Sequence, residues 1–338
     1  MKIQDLVGLS KPLTRLIEVV SKGVGTVTEA YFIRKKADSR AYEIQAVATA
    51  LNHVRQQNQL PVVYNAGEVE IWQRTEDNTL ILDSQPINKR TLTRHDYQER
   101  KRQNNIESVT TSAAAELLKE TEVADAAPDD DWITRFFSCA QDVNSEQMRE
   151  LWGKILAGEI KKPGSYSVRT LDFVRNLTLA EANLFEAFGK LALNCDTNTS
   201  FVVSLDKEWL KNERGILPIH HFQLAGLGTI FPTDLSFTVT MDSNNTQVAF
   251  ISDNHLLLID RGQISGQIHI PVWKFTGIGQ ELLPLIQKPL DEPYLERIGR
   301  FFVSRNGQAR IAKITQRLPN GQLSIEVIKP IALVTPQS

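Results

Sequence analysis

Arg90 and His95 bracket the segment Arg90-Thr-Leu-Thr-Arg-His95, the pairing whose residue types and spacing best suit a bond-breaking reaction in this chain. An imidazole taking a proton beside a guanidinium holding a phosphate is equipment for cutting RNA. The plainer reading is a charged surface. Residues 86–102 carry Lys89, Arg90, Arg94, Arg100, Lys101 and Arg102 against Asp96 and Glu99, and short patterns of this kind arise by chance. A solvated basic helix face is therefore the expectation, and a ribonuclease using Arg90 and His95 is the alternative.

Other chemistry has less to work with. A metal site needs several His, Cys or carboxylate groups converging, yet the histidines lie scattered at 53, 95, 220, 221, 255 and 269. His220 and His221 are neighbours, and neighbours on a helix face different ways. Cys139 and Cys195 stand alone in apolar surroundings, which excludes a disulfide framework and fits a reducing compartment. Gly23-Val24-Gly25 and Gly277-Ile278-Gly279 lack the third glycine and the preceding strand of a dinucleotide fingerprint. No metal and no cofactor is expected.

The candidate binding surface is the N-terminal segment. Leu13, Leu16, Ile17, Val20, Val24, Val27 and Tyr31 recur at helical spacing over 12–36, with Pro12 suited to the first turn and Ser10 to the cap. Around that stripe stand Lys11, Arg15, Lys22, Arg34, Lys35 and Lys36, the composition of a helix that lies on an anionic membrane or on a partner. The competing reading is an ordinary helix docked on its own core. Gly23 and Gly25 interrupt the pattern and require close packing or a kink.

These surfaces need elements to hold them. Helical spacing continues over 37–58; short β-type runs at 62–64 and 80–82 flank a helix-like segment at 67–74. Residues 107–131 reverse the charge, with eight acids against Lys119, and read as an acidic, Ala-rich linker helix. Then come a helix with Trp132, Phe136 and Phe137 on one face, and a second with Met148, Leu151, Trp152, Ile155, Leu156 and Ile160, opened by a capping box of Asn144 with Gln147. A turn at 162–165 leads to helices capped by Ser167 and by Thr178 with Glu181. From the helix capped by Thr178 onward, with a strand at 201–205 and helices near 206–213 and at 216–227, the order helix, strand, helix, helix, strand, strand is that of a winged helix with an enlarged wing. Its strands fall at 235–241, 247–251, 255–260 and 267–273; a helix over 276–286, a last helix near 292–303 and a hairpin turning at Pro319-Asn320-Gly321 follow. The third helix of that domain, 216–227, contains no Lys or Arg, so DNA reading is not expected of it.

The fold class is α+β: an N-terminal mixed region (1–105), a linker helix (106–130), a central helical bundle (131–195) and a winged-helix-like domain with a terminal hairpin (196–338). A chain of 338 residues is long enough for two domains. Its 41% apolar and 23% charged residues exclude wholesale disorder, and a net charge of −2 gives no overall pull toward nucleic acid. No secretory signal or membrane span is evident, so the expected location is the cytoplasm, with peripheral membrane contact as a variant.

Residues 131–177, with Trp132, Phe136, Trp152, Gly158, Glu159, Pro163, Gly164 and Arg169 in Asp131-Trp132-Ile133, Leu151-Trp152-Gly153-Lys154-Ile155-Leu156-Ala157-Gly158-Glu159-Ile160 and Arg169-Thr170-Leu171, resemble the signature of an uncharacterised bacterial family, domain of unknown function 2806. Gly8-Leu9-Ser10-Lys11-Pro12-Leu13 with Gly23-x-Gly25 resembles it too, and resembles less closely the N-terminal segments of abortive-infection proteins. The resemblance implies a bacterial protein from a phage-defence setting and brings no catalytic residue. Glu159 and Arg169, either side of the Pro163-Gly164 turn, are candidates for a salt bridge. The expected function is a non-enzymatic sensor or assembly module, forming a homo-oligomer with a protein partner encoded nearby. An anionic membrane surface is a further possible partner; nucleic acid is not the expected partner, and a nucleic-acid-binding regulator, with nucleic acid meeting the basic 89–102 segment, is the third reading.

Overall fold

The computed structural model describes residues 10–25, 62–65, 68–71, 87–195, 199–318 and 321–332. The chain divides into two compact units, Met1–Ser165 and Tyr166–Ser338. The division falls inside the stretch read from sequence as one bundle. After the turn at 162–165, Phe185 and Phe188 pack on Phe275 and Trp273, 5.8 and 5.5 Å away, within the second unit.

The first unit contains α1 (Lys11–Val24), a ladder of β1 (Val62–Asn65) with β2 (Glu68–Ile71), α2 (Ile87–Leu117), α3 (Asp130–Ala140) and α4 (Glu146–Lys161). The helix-like reading of 67–74 is corrected here: Glu68–Ile71 is a strand antiparallel to β1, with Asn65 opposite Glu68. Four residues are too few to nucleate a helix, whereas Val69 and Ile71 are strong strand formers once a partner strand is present. The expected run at 80–82 and the helix over 37–58 lie outside the described residues.

Local capping chemistry explains where these helices begin. Asp129 accepts from the Asp131 and Trp132 N–H groups, with Asp130 and Asp131 in the first turn of α3, where the macrodipole favours anions. Ser145, not Asn144, opens α4: its hydroxyl accepts from the Met148 N–H at 3.2 Å. Gly25, at φ 81°, closes α1 with its N–H on the Ser21 carbonyl, a conformation that glycine adopts without a Cβ penalty.

The core joins Leu16, Val19 and Val20 of α1, Val109, Ala113 and Leu117 of α2, Ile133 and Phe136 of α3, and Trp152, Ile155 and Leu156 of α4. Phe136 sits between the two tryptophans, 5.1 Å from Trp132 and 5.3 Å from Trp152. Two glycines set how closely the helices approach. A Cβ on Gly23 would lie 2.0 Å from the Phe137 ring, and one on Gly153 would lie 2.5 Å from Ser112 Cβ and 3.0 Å from the Ala113 nitrogen. α2 is one continuous helix, so the residues read as a linker from 106 onward are the packed end of the arm that begins at Ile87.

The second unit contains α5 (Val168–Asn176), α6 (Leu179–Lys190), β3 (Leu193–Asn194), β4 (Ser200–Val203), α7 (Lys207–Arg214), α8 (Pro218–Gly226), β5 (Leu235–Met241), β6 (Gln247–Ser252), β7 (His255–Asp260), β8 (Gly266–Lys274), α9 (Gly277–Leu282), α10 (Glu292–Val303), β9 (Gln308–Arg317) and β10 (Leu323–Ile331). One antiparallel sheet runs β10-β9-β7-β6-β3-β4-β8-β5. Within it, β4 stands between α6 and α7 in the chain, β5 and β8 come after α8, and the three strands adjoin in the order β4-β8-β5, which is the winged-helix arrangement. The wing is the enlarged part: between β5 and β8 the chain forms the β6–β7 hairpin, which pairs with β3 and with β9. α10 crosses this extension at Gly299, where a Cβ would meet Ile331, Ala309 and Leu257 side chains. The Tyr294 hydroxyl bonds both the nitrogen and the carbonyl of Val203, at 2.7 and 3.2 Å. The two units together make the α+β fold.

The Gly153 contact yields a stability prediction. Gly153→Ala should lower the unfolding free energy by about 1–3 kcal/mol through overpacking, despite a gain of about 1 kcal/mol in helix propensity. Ser112→Gly in the same chain should recover part of the loss. Chemical denaturation of the three variants reads both effects, and a Gly153→Ala protein as stable as the parent would contradict the close approach.

Candidate functional site

α2 has two unlike halves. From Asn105 to Leu117 it buries Asn105, Ile106, Val109, Thr110, Ala113 and Leu117, while from Ile87 to Asn104 it buries no residue. Arg90 and His95 lie in the exposed half, five residues apart. At about 100° per residue this places them roughly 140° apart around the axis, so the two side chains leave the helix on different sides. Arg100 pairs with Asp96 at 3.0 Å, and Arg102 pairs with Glu99 at 2.8 Å and with Asp142 at 3.3 Å. Lys89, Arg90, Arg94 and Lys101 are exposed and make no ion pair among the described residues.

The N-terminal candidate surface is largely engaged within its own unit. Leu16 and Val20 are fully buried, and Leu13 is partly buried. Lys11 bonds Asp125 at 2.7 Å, Lys22 bonds Asp130 at 2.8 Å, and Arg15 bonds Glu18 and the Asp125 carbonyl at 2.8 and 3.0 Å. The Lys11 bond holds the Asp125 carboxyl below its ordinary range. The acidic stretch thus answers the basic helix. Arg34, Lys35 and Lys36 lie outside the described residues.

The signature residues are structural in placement. Trp132, Phe136 and Trp152 form the aromatic core of the first unit. Gly158 offers its carbonyl to the Lys162 N–H, and Pro163 and Gly164 make the turn, with Gly164 at φ 82°. Glu159 is buried at 2% exposure and accepts from the Gly164 N–H at 2.6 Å. Arg169 is exposed on α5 of the second unit.

In the second unit α8 holds the position that reads bases in DNA-binding winged helices. His221 and Leu224 point inward, and Ile219 and Phe222 outward at 54% and 61% exposure, with Leu217 and Phe231 nearby in sequence and also exposed. His221 is stacked 5.2 Å over Trp273, and its Nε2 lies 3.0 Å from the Phe231 carbonyl. That partner accepts only, so the neutral ring carries its proton on Nε2. Asp234 takes bonds from Trp273 Nε1 and Lys207 Nζ, both at 2.6 Å, and the Lys207 bond is the main reason its carboxyl titrates low. Burial pushes the His221 imidazole below its ordinary value, against smaller opposing effects of the Phe231 carbonyl and Asp234. This packed cluster places a histidine beside a carboxylate through a shared tryptophan, and no spacing in the sequence signals it.

Two other histidines serve separate local bonds. His220 Nδ1 accepts from the Leu217 N–H at 3.2 Å, and His269 Nδ1 lies 3.0 Å from the Thr238 hydroxyl. Among the described residues no group of three or more His, Cys, Asp or Glu side chains is placed to hold a metal. A depression of about 410 Å³ is lined by Asn183, Glu186, Lys190, Arg214 and Asp291. Its four charges pair with one another, Lys190 with Glu186 and Arg214 with Asp291, each at 2.7 Å. Both guanidiniums near Trp209 are also committed, Arg214 lying 4.6 Å and Arg297 5.2 Å from its ring while bonded to Asp291 and Asp206. Among the described residues no helix is long and apolar enough to cross a membrane.

An α+β protein with a winged-helix half and paired internal charges is the class these features define. The chain belongs to the family described as "Protein of unknown function (DUF2806)", matched over residues 89–299. That span begins in the exposed half of α2 and ends in α10, and residues 8–25 lie outside it. Neither the curated proteins nor the solved structures contain a match to this chain.

The buried imidazole gives a pH prediction. With a folded value below the ordinary 6.5, the unfolded chain binds the proton more readily, so the stability contributed by neutral His221 is complete above about pH 6.5 and declines as the pH falls. Thermal melting between pH 8 and 5 should show this loss, and His221→Gln, which can still donate to Phe231, should shrink it. Superimposable pH profiles for the two proteins would count against the assignment.

Proposed function

We propose that the protein is a non-catalytic assembly module in which the outward face of α8 joins two copies of the chain. The observation that carries this reading is the pair Ile219 and Phe222, more than half exposed on the helix where a DNA-reading winged helix presents cations and polar groups. Residues 216–227 contain no Lys, Arg, Asp or Glu, so the face has neither the charge to hold phosphates nor any charge to repel a second copy. A two-fold contact presents the same patch from both sides, and a large aromatic side chain beside a branched aliphatic one suits the centre of such a patch.

Other readings have less support. The ribonuclease alternative needs Arg90 and His95 on one side of a helix, and their five-residue spacing directs them apart. Membrane-surface contact through α1 needs Leu16, Val20, Lys11 and Lys22, which are buried or paired. A defence setting, with a protein partner encoded nearby, rests on the resemblance of residues 8–13 and Gly23-x-Gly25 to abortive-infection proteins, and self-association through α8 does not depend on it.

Sedimentation at micromolar concentration tests the proposal. The parent chain should associate, and Ile219→Lys with Phe222→Glu should raise the dissociation constant at least tenfold, about 1.4 kcal/mol, without lowering the melting temperature. A strictly monomeric parent, or a double variant that associates as the parent does, would sink the reading.

A further inference from the structure

We infer that the exposed half of α2 is a binding arm for single-stranded nucleic acid, with Arg90, Arg94 and Lys101 on phosphates and Tyr97 stacked on a base. The argument begins with position. Steps of four, three and four residues bring Arg90, Arg94, Tyr97 and Lys101 back to one strip about 60° wide. The strip runs roughly 16 Å along the helix at 1.5 Å per residue. It lies on the side away from Ile106, Val109, Ala113 and Leu117, which seat the lower half of the same helix.

Charge is segregated around the arm. The acids Asp96 and Glu99 lie off the strip and are taken up by Arg100 and Arg102. The three cations on the strip are exposed and make no ion pair among the described residues. A solvated helix that merely stays soluble gains from mixing its signs, since Glu and Lys four apart stabilise it; this one keeps a strip of one sign.

Tyr97, 52% exposed among the cations, decides between anionic partners. Cations that track a phosphate chain, with an aromatic ring on which a base stacks, are the recognition chemistry of single strands. A bilayer would require an apolar stripe, but Ile87, Leu92 and Tyr97 point in three different directions around the axis. An acidic peptide would be satisfied by the cations and has no use for the ring. The proposal is independent of α8, and its failure would leave the assembly reading untouched.

The test is titration of the full-length chain with a labelled oligouridine or oligothymidine at salt concentrations from 50 to 300 mM, the range over which counterion release is read. Three phosphate contacts predict a log–log salt slope of about −2 for a single strand, and each of Arg90→Gln, Arg94→Gln and Lys101→Gln should reduce it by about 0.7. Tyr97→Ala should weaken binding about tenfold and leave the slope unchanged, while Tyr97→Phe retains affinity. All four side chains are exposed, so unchanged melting curves certify the variants. Absence of binding at 50 mM salt, or a slope indifferent to the three Gln substitutions, overturns the proposal. So does equal or tighter binding of a duplex, of polyglutamate or of anionic vesicles with Tyr97→Ala silent.

Discussion

The close approach of α4 to α2 at Gly153 is the contact on which the first unit depends. Because no Cβ stands there, the α4 backbone reaches Ser112 and the Ala113 nitrogen, and the large side chains on either side, Trp152 and Leu156 with Val109 and Leu117, are fully buried. Packing of this density transmits rigidity along a helix. The seated half of α2 fixes the direction of the half that buries nothing, and helix propagation, which adds a hydrogen bond per residue once a nucleus exists, carries order into the arm. A seam of small residues thus determines where the basic strip is displayed.

Charge is handled differently at each end of the first unit. The basic side of α1 meets Asp125 and Asp130, and exposed ion pairs of this kind contribute little stability individually. Their effect is to fix which charges remain available. With Lys11, Arg15 and Lys22 matched, and Arg100 and Arg102 satisfied from their own helix and from Asp142, the exposed cations that make no ion pair among the described residues include Arg90, Arg94 and Lys101 on the outer strip of α2.

The second unit shows how a winged-helix frame is altered by what is inserted in it. The β6–β7 hairpin leaves the wing to become the middle of an eight-stranded sheet, and β9, β10 and α10 extend it. Tyr294 binds the extension to β4 through both polar groups of Val203, and burial drives its hydroxyl well above the ordinary titration range, so it remains a neutral donor. His221 and Trp273 fill the underside of α8, leaving Ile219 and Phe222 as its outer surface.

Much of this architecture was legible from local signals. The caps at Ser167 and Thr178, the stripes through Trp132 and Trp152, the alternating runs of β5 to β8 and the helix over Glu292–Val303 depend on residues within a few positions of one another, which is why periodicity and capping chemistry reveal them. The 67–74 segment misled because a four-residue strand exists only by virtue of its partner. The division after Ser165, the union of the acidic stretch with the arm of α2, and the stacking of His221 on Trp273 were likewise decided at long range. So were the availability of Arg90, Arg94 and Lys101 and the burial of α1, since a charge or an apolar stripe looks the same in sequence whether or not a distant segment covers it. Sequence determined the elements and their faces; tertiary packing alone decided which faces were used up, because burial and pairing are properties of contacts between residues far apart along the chain.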